Sequence, residues 1–366
     1  MPSSVIVKTE RESNLELLRI VSMLMIIFHH YIMHGIILPC EKDSLLAQSI
    51  NFYQWENILK SVNFGGSLGV NCFVLISGYF MIKRAASIRK IIILWGTVVF
   101  YTVTLFLLTM VACDAYRDSL PIPGISTVFS LLFPCFFERY WFITTYVALC
   151  LLSPYLNMLL THLAEKDFRR LLFVLVFAAL YMHSGALITF ISLYTFAAYV
   201  RIYNPFESRS YAFWLLAAIA CVCIRIVCTI CLETWLFNGT CERVLLLFSS
   251  GLLYVMAICI FMFFRELHIK SNKIINTIAS TTVGIYLIHD HPEVRSVLWK
   301  YLGNLEWVQH PYFILHCVGS VLSVFLVCAL LDYIRIKTFA RLWEGCVNYL
   351  MLVFGKVKSV ICEVIK

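Results

Sequence analysis

The chain is a succession of apolar runs, each near the length that carries a helix across a bilayer. One crossing takes about 20 mostly apolar residues. Roughly ten such runs can be marked: 15–37, 62–82, 89–112, 141–160, 169–184, 186–202, 211–232, 243–264, 274–290 and 311–334. In hydrocarbon every backbone N–H and C=O must be satisfied within the segment, so runs of this length fold as helices. Charged residues make up 14% of the 366 positions and hydrophobic ones 61%, whereas a soluble domain carries about 25% charged residues. The expected fold is therefore an all-α integral membrane protein with about ten transmembrane helices. The fifth and sixth runs meet at His183-Ser184-Gly185, a tight turn with almost no loop.

Lysine and arginine set the orientation. With the N-terminus placed in the cytoplasm, 21 of them fall on inner segments, 7 on outer segments, and Arg225 lies within a span. That is the positive-inside bias, and it predicts an N-in, C-in topology. The net charge of +8 is accordingly an orientation signal, and no nucleic-acid partner is expected. Residues 1–13 read as a cytoplasmic tail, 14–334 as the ten-helix domain and 335–366 as a second cytoplasmic tail. In that last segment Phe339, Trp343, Val347, Leu350 and Phe354 alternate with basic residues, the pattern of an amphipathic helix on the inner leaflet. The first apolar run is longer than a signal-peptide core and no small-residue cleavage site follows it, so it reads as an uncleaved span. Trp55, Pro121, Pro123, Pro134, Tyr140 and Trp141 sit on outer loops. Such rings suit the interface belt, and a sugar-stacking role for some of them is the alternative. The fifteen cysteines lie mostly in apolar runs, where thiols behave as small hydrophobes. Their spacing matches no zinc site, and no metal is expected. A disulfide among Cys40, Cys113, Cys135 and Cys241 is left open by the sequence.

Within the first span, NLELLRIVSMLMIIFHHYIMH from Asn14 to His34 carries Glu16, Arg19, His29, His30 and His34. Lipid tolerates such residues poorly, and in a span they mark function more often than packing. Eleven steps of about 100° return His30 to nearly the face of Arg19, roughly 16 Å further along the axis. One stripe thus holds a cation near a membrane surface and an imidazole deep in the apolar layer. The bland readings are a snorkelling arginine and a histidine satisfied inside the bundle. The chemical reading gives His30 the proton-transfer work that imidazole suits at neutral pH, and gives Arg19 forked hydrogen bonds to phosphates. Glu16, one turn before Arg19, can orient it and is grouped with His30 as a candidate catalytic residue. His34 lies one turn beyond His30 on nearly the same face, where it can line the same cavity; His29 diverges by about 100° and reads as packing. Lys83, Arg84, Arg89 and Lys90 follow the second span, either as topology signals or as a docking patch for a phosphorylated donor. Arg225, mid-span, should face a cavity or a partner such as Glu233. His289, Asp290 and His291 end the ninth span, His289 about 24 Å along from the Lys270–Lys273 stretch and hence near the outer surface.

The Arg19-x10-His30 pattern with Glu16 ahead of it resembles the membrane-bound acyltransferase type 3 family. Three later stretches are similar to that family in order and spacing: LGVNCFVLISGY at Leu68–Tyr79, WFITTYVALCLLSPYLN at Trp141–Asn157 and GIYLIH at Gly284–His289. The likeness runs from about Asn14 to Asp332. It implies an O-acyltransferase of the bacterial inner membrane, with acetyl-coenzyme A as a donor substrate rather than a bound cofactor. The implied acceptor is a carbohydrate hydroxyl on an exported polysaccharide or its lipid-linked precursor. It implies that Arg19 and His30 are required; the basic cluster, taken as a group, is the candidate donor-binding patch, and His34, Tyr79, Trp141 and His289 are candidates for substrate contact. The family's Arg-x-x-Arg after the second span is broken here, with Ala86 opposite the first arginine and Arg89 as the second. No Gly-x-Ser-x-Gly elbow, Walker lysine loop or dinucleotide fingerprint is present. The alternative class is a polytopic transporter. Such proteins often carry repeated halves with helices broken at matching positions, and neither feature is legible in the sequence.

Overall fold

The computed structural model describes residues 11–50, 52–112, 124–137, 139–181, 185–235 and 242–364. The described residues are mostly helical, with no strand among them. The first thirteen residues expected as a tail fall mostly outside this range, as do Cys113, Pro121, Pro123, the turn at 182–184 and Cys241. Cys40 and Cys135 carry free thiols.

The central helix is α1, Ser13–Ile32. It packs chiefly against α2, Gly65–Met81. Glycines allow that approach: a Cβ on Gly65 or Gly69 would lie 2.5 Å from a backbone oxygen of α1. Around this pair stand α3 (Ile88–Ala112), α4 (Trp141–His162), α5 (Glu165–Tyr181), α6 (Ala186–Tyr203), α7 (Tyr211–Trp235) and α8 (Glu242–Glu266). They are followed by α9 (Lys273–Ser280), α10 (Thr282–His289), α11 (Pro292–Tyr301), α12 (Phe313–Lys337) and α13 (Phe339–Val364).

Eight helical segments among the described residues are long and apolar enough to cross a membrane unbroken. Two of the ten expected runs differ. The fifth folds as α5, a 17-residue helix whose first turn is charged. The ninth is broken at Thr281 into α9 and α10. The break has a local cause: Ser280, Thr281 and Thr282 each return a hydroxyl hydrogen bond to the carbonyl three residues back, which competes with the helical ladder. A broken helix is therefore present where the sequence suggested none.

Several tethers gather one set of helix ends. Asn14 Nδ2 donates to the carbonyls of Phe264 and Arg265, both at 3.0 Å, closing the end of α8. Ser13 Oγ meets Asn276 on α9 at 2.9 Å. Asn157 Nδ2 donates to Met81 O at 2.7 Å and caps α2. At the far end of α1, Asn304 Nδ2 donates to the carbonyl of Tyr31 at 3.0 Å and packs on Gly35, where a Cβ would meet it at 2.0 Å. A side chain inserted into the ladder opens a wider turn, and the segment Met33–Ile37 is a π-helix.

Because Ser13 contacts α9 and His30 contacts His289 on α10, α1 runs parallel to the broken α9–α10 helix. The seam between α10 and α12 is tight: a Cβ on Gly284 would fall 2.0 Å from the Asp332 carboxylate. Asp332 is fully buried, accepting from Tyr101 at 2.7 Å and from Arg335 Nε at 2.6 Å. The C-terminal α13 grips α3: the Phe339 ring packs tilted against that of Phe100 at 4.5 Å, and Trp343 Nε1 donates to Ile92 O at 3.4 Å.

Candidate functional site

Arg19, Met23, Ile26 and His30 follow one another at helical spacing on α1. The first three line a narrow cavity of about 70 Å³, walled opposite by Val70, Phe73 and Ser77 of α2 and Tyr146 of α4. Thr282, Val283 and Tyr286 of α10 close its side. His289 continues that α10 stripe, its ring 6.2 Å from that of Tyr286. The α1 stripe and the α10 stripe thus flank one cleft, with Arg19 at one end and the His30–His289 pair just past the other.

At the Arg19 end, Glu16 lies 3.7 Å from the guanidinium. Glu16 is fourteen residues from His30, about 21 Å along the helix, so it acts on Arg19 rather than on the imidazole. Leu94 of α3 lines the same cavity, and Lys90 is one turn before it. Lys83, Arg84 and Lys90 are exposed, whereas Arg89 is half-buried. Arg89 Nε donates to Asn348 of α13 at 2.8 Å, and its guanidinium is 4.0 Å from Glu344. The C-terminal helix therefore already engages one member of the basic cluster. Ala86, at the family's first arginine position, donates its N–H to Ser153 Oγ at 3.2 Å, which ties the turn to α4.

Tyr79 lies on this same end, away from the histidines. Arg201 Nη1 donates to its hydroxyl at 2.5 Å and stacks 4.3 Å over its ring, with Arg265 6.0 Å from the ring centroid. Arg201 also reaches Glu12 at 3.5 Å. The sequence counted Arg201 and Arg265 only as topology cations; their convergence on Tyr79 depends on helices that sit together only in the fold.

At the other end, His30 Nδ1 is 3.0 Å from His289 Nε2, and His289 Nδ1 is 2.6 Å from Ile285 O. His289 is fully buried. Asp290 Oδ1 stands 3.7 Å from His30 Nδ1 and 3.9 Å from His34 Nε2, and accepts from Arg295 at 3.1 Å. His30, His34 and Asp290 bring one donor atom each within 4.8 Å of one another. That set could hold a cation, but the guanidinium on Asp290 opposes it electrostatically. His29 turns away as expected: its ring packs on Gly66 and donates to Asn63 O at 3.3 Å.

The loop that carries His289 and Asp290 is pinned. Arg139 Nη2 donates to both Glu293 oxygens at 2.6 and 2.7 Å, and His291 Nδ1 is 2.9 Å from the same carboxylate. Tyr140 donates its hydroxyl to Leu287 O at 2.8 Å. Arg139 is thus a fixed ion-pair partner of that loop. Burial alone would raise the Glu293 carboxyl, yet the hydrogen bonds from His291 and Arg139 outweigh it and hold it down to about 2.

Two expected residues lie elsewhere. Trp141 is half-exposed and lines a second cavity of about 260 Å³ with Ser67, Asn71, Thr189, Ser250 and Tyr254. Arg225 bonds to Ser249 Oγ and stands 5.5 Å from the Phe64 ring centroid. Its suggested partner, the Glu233 side chain, is outside the described residues.

No curated protein and no solved structure matches the chain. A family match does exist: the acyltransferase domain of type 3 covers residues 12–332, from just before α1 to the Asp332 that buttresses α10. That interval holds both ends of the cleft and every helix that lines it, and the chain therefore belongs to the acyltransferase type 3 family, as a multi-pass membrane acyltransferase.

Proposed function

We propose that the protein is an O-acetyltransferase. It would move an acetyl group from cytoplasmic acetyl-coenzyme A to a hydroxyl of an exported polysaccharide or its lipid-linked precursor, in the inner membrane of a bacterial cell. The end of the bundle that carries Arg19, Tyr79 and the basic cluster faces the cytoplasm, with both termini on that side. The donor's phosphates dock on Arg19, supported by Lys83, Arg84, Lys90 and the half-engaged Arg89. Its thioester arm follows the α1 stripe, past Met23 and Ile26, to His30. His30 takes the proton of the acceptor hydroxyl as that oxygen attacks the thioester carbonyl. The new C–O bond forms, the C–S bond breaks, and the imidazolium returns its proton to the departing thiolate. His34 stands beside the acceptor, and Trp141 offers a ring to sugar at the second cavity.

One observation carries this reading: Arg19, Met23 and Ile26 line a cleft flanked by the α10 stripe, and His30, the next residue of their stripe, meets His289 just past the cleft's end. The test is His30→Ala, purified and incubated with labelled acetyl-coenzyme A and candidate glycans. The expected result is no transfer from a protein that still inserts and folds. Full transfer refutes the assignment. Substrate accumulation in vesicles without acetylation would favour transport.

A further inference from the structure

The hydrogen-bond chain behind His30 fixes which of its two nitrogens can act. Start at the carbonyl of Ile285, which can only accept. The His289 Nδ1 that lies 2.6 Å from it must therefore carry a proton. A neutral imidazole holds one proton, so His289 Nε2 is a lone pair. That lone pair is 3.0 Å from His30 Nδ1, so His30 Nδ1 must be the donor. The carboxylate of Asp290 is the other acceptor near that nitrogen, and at 3.7 Å it is outside hydrogen-bond range. The proton on His30 is thus placed on Nδ1, and Nε2 is left as the lone pair. No protein group among the described residues hydrogen-bonds that Nε2.

We propose that His289 is a positioning residue for His30: it accepts from Nδ1–H and thereby holds Nε2 as the proton acceptor for the incoming hydroxyl. The proposal rests on the reading of His30 as the base. It reassigns His289 from substrate contact to the support of another side chain. The arrangement has the logic of a triad, in which the third group sets tautomer and ring orientation without itself taking the proton. Here the third group is a neutral histidine, itself oriented by a backbone carbonyl. The chain also accounts for the burial of His289, which leaves it no access to a substrate. During transfer the proton of the hydroxyl moves to His30 Nε2, the doubly protonated ring keeps its Nδ1–H bond to His289, and the same Nε2 proton passes to the thiolate.

The test combines two substitutions with a direct reading of the tautomer. His289→Leu removes the acceptor and keeps the volume close. His289→Gln places an amide oxygen near the position of Nε2. In protein labelled with ¹⁵N at histidine, the His30 signal is identified by its loss in His30→Ala. The expected result is His30 as the Nδ1–H tautomer in the wild type. His289→Leu should lose that preference and lower kcat by roughly 100-fold, the usual reach of acid–base support. Its KM for acetyl-coenzyme A should stay within about twofold, because a residue acting only on the base leaves donor binding alone. His289→Gln should recover to within about tenfold of the wild type, since the acceptor is restored. A wild-type His30 protonated on Nε2, a fully active His289→Leu, or a His289→Gln as inactive as His289→Leu would each overturn the proposal. If His289→Leu fails to fold, the wild-type tautomer and His289→Gln decide. If His30→Ala itself turns over, the base reading fails, and that outcome is separate from the tautomer measured at His30.

Discussion

Replacing Arg139 by Gln tests whether the pinned loop behind the histidines is held by charge. Both Arg139 and Glu293 have side chains only 13% exposed, with the contact at 2.6 Å. The Glu293 carboxyl is brought from its ordinary 4.5 down to about 2, against a burial effect that pushes the other way. Each unit of pKa is about 1.4 kcal/mol, so the net displacement is on the order of 3 kcal/mol of folding stability at neutral pH. Arg139 supplies part of this and His291 another part, and losing one partner of a buried pair leaves the other uncompensated. The expected cost of Arg139→Gln is about 2–3 kcal/mol at pH 7, a fall of roughly 3 °C in the unfolding midpoint. The sign with pH follows from the depressed carboxyl. Its stabilisation is fully present above about 4.5 and is lost as pH falls through about 2. The gap between wild type and variant should therefore shrink by about half between pH 7 and pH 3. The assay is thermal unfolding in detergent at the two pH values. A variant as stable as wild type at pH 7, or a gap unchanged at pH 3, would refute the reasoning.

Further substitutions probe the other supports. Gly284→Ala would drive a methyl into the Asp332 carboxylate and should cost about 3 kcal/mol or more, read as lost yield of folded protein. Asp332→Asn should destabilise by about 3–5 kcal/mol, measured by denaturant unfolding, because Arg335 loses its buried counter-charge. Arg19→Ala should raise KM for acetyl-coenzyme A at least tenfold while kcat falls less, since a charge-assisted phosphate contact is worth about 1.5–3 kcal/mol. Arg201→Ala, read in the same kinetics, should raise that KM as well if the Arg201–Tyr79 pair faces the donor; an unchanged KM assigns the pair to structure alone.

The first helix was legible because helical periodicity is local. Eleven residues put Arg19 and His30 on one face, and the structure keeps them there through Met23 and Ile26. The neighbour of that face was not legible from periodicity. His30 and His289 are 259 positions apart, and nothing in the pattern of either run says that α1 and α10 lie side by side and parallel. The GIYLIH stretch raised His289 above an ordinary interface histidine, but gave no atom for it to bond. Arg201 and Arg265 were hidden in the inner-side excess of cations, which counts charges without saying which of them turn inward. The break at Thr281 had a signal in Ser280-Thr281-Thr282, three hydroxyl residues in a row, yet the apolar run on either side read as one span. The π-helix at Met33–Ile37 depends on Asn304 arriving from far along the chain, so no local pattern could announce it.

The central claim is that a single passage joins Arg19 to His30. The most direct measurement is a cryo-EM structure with a non-transferable thioether analogue of acetyl-coenzyme A. The account predicts the phosphates at Arg19, the arm between the α1 and α10 stripes, and the sulfur beside His30 Nε2. Phosphates bound away from Arg19, or an acyl end resting away from His30, would contradict it.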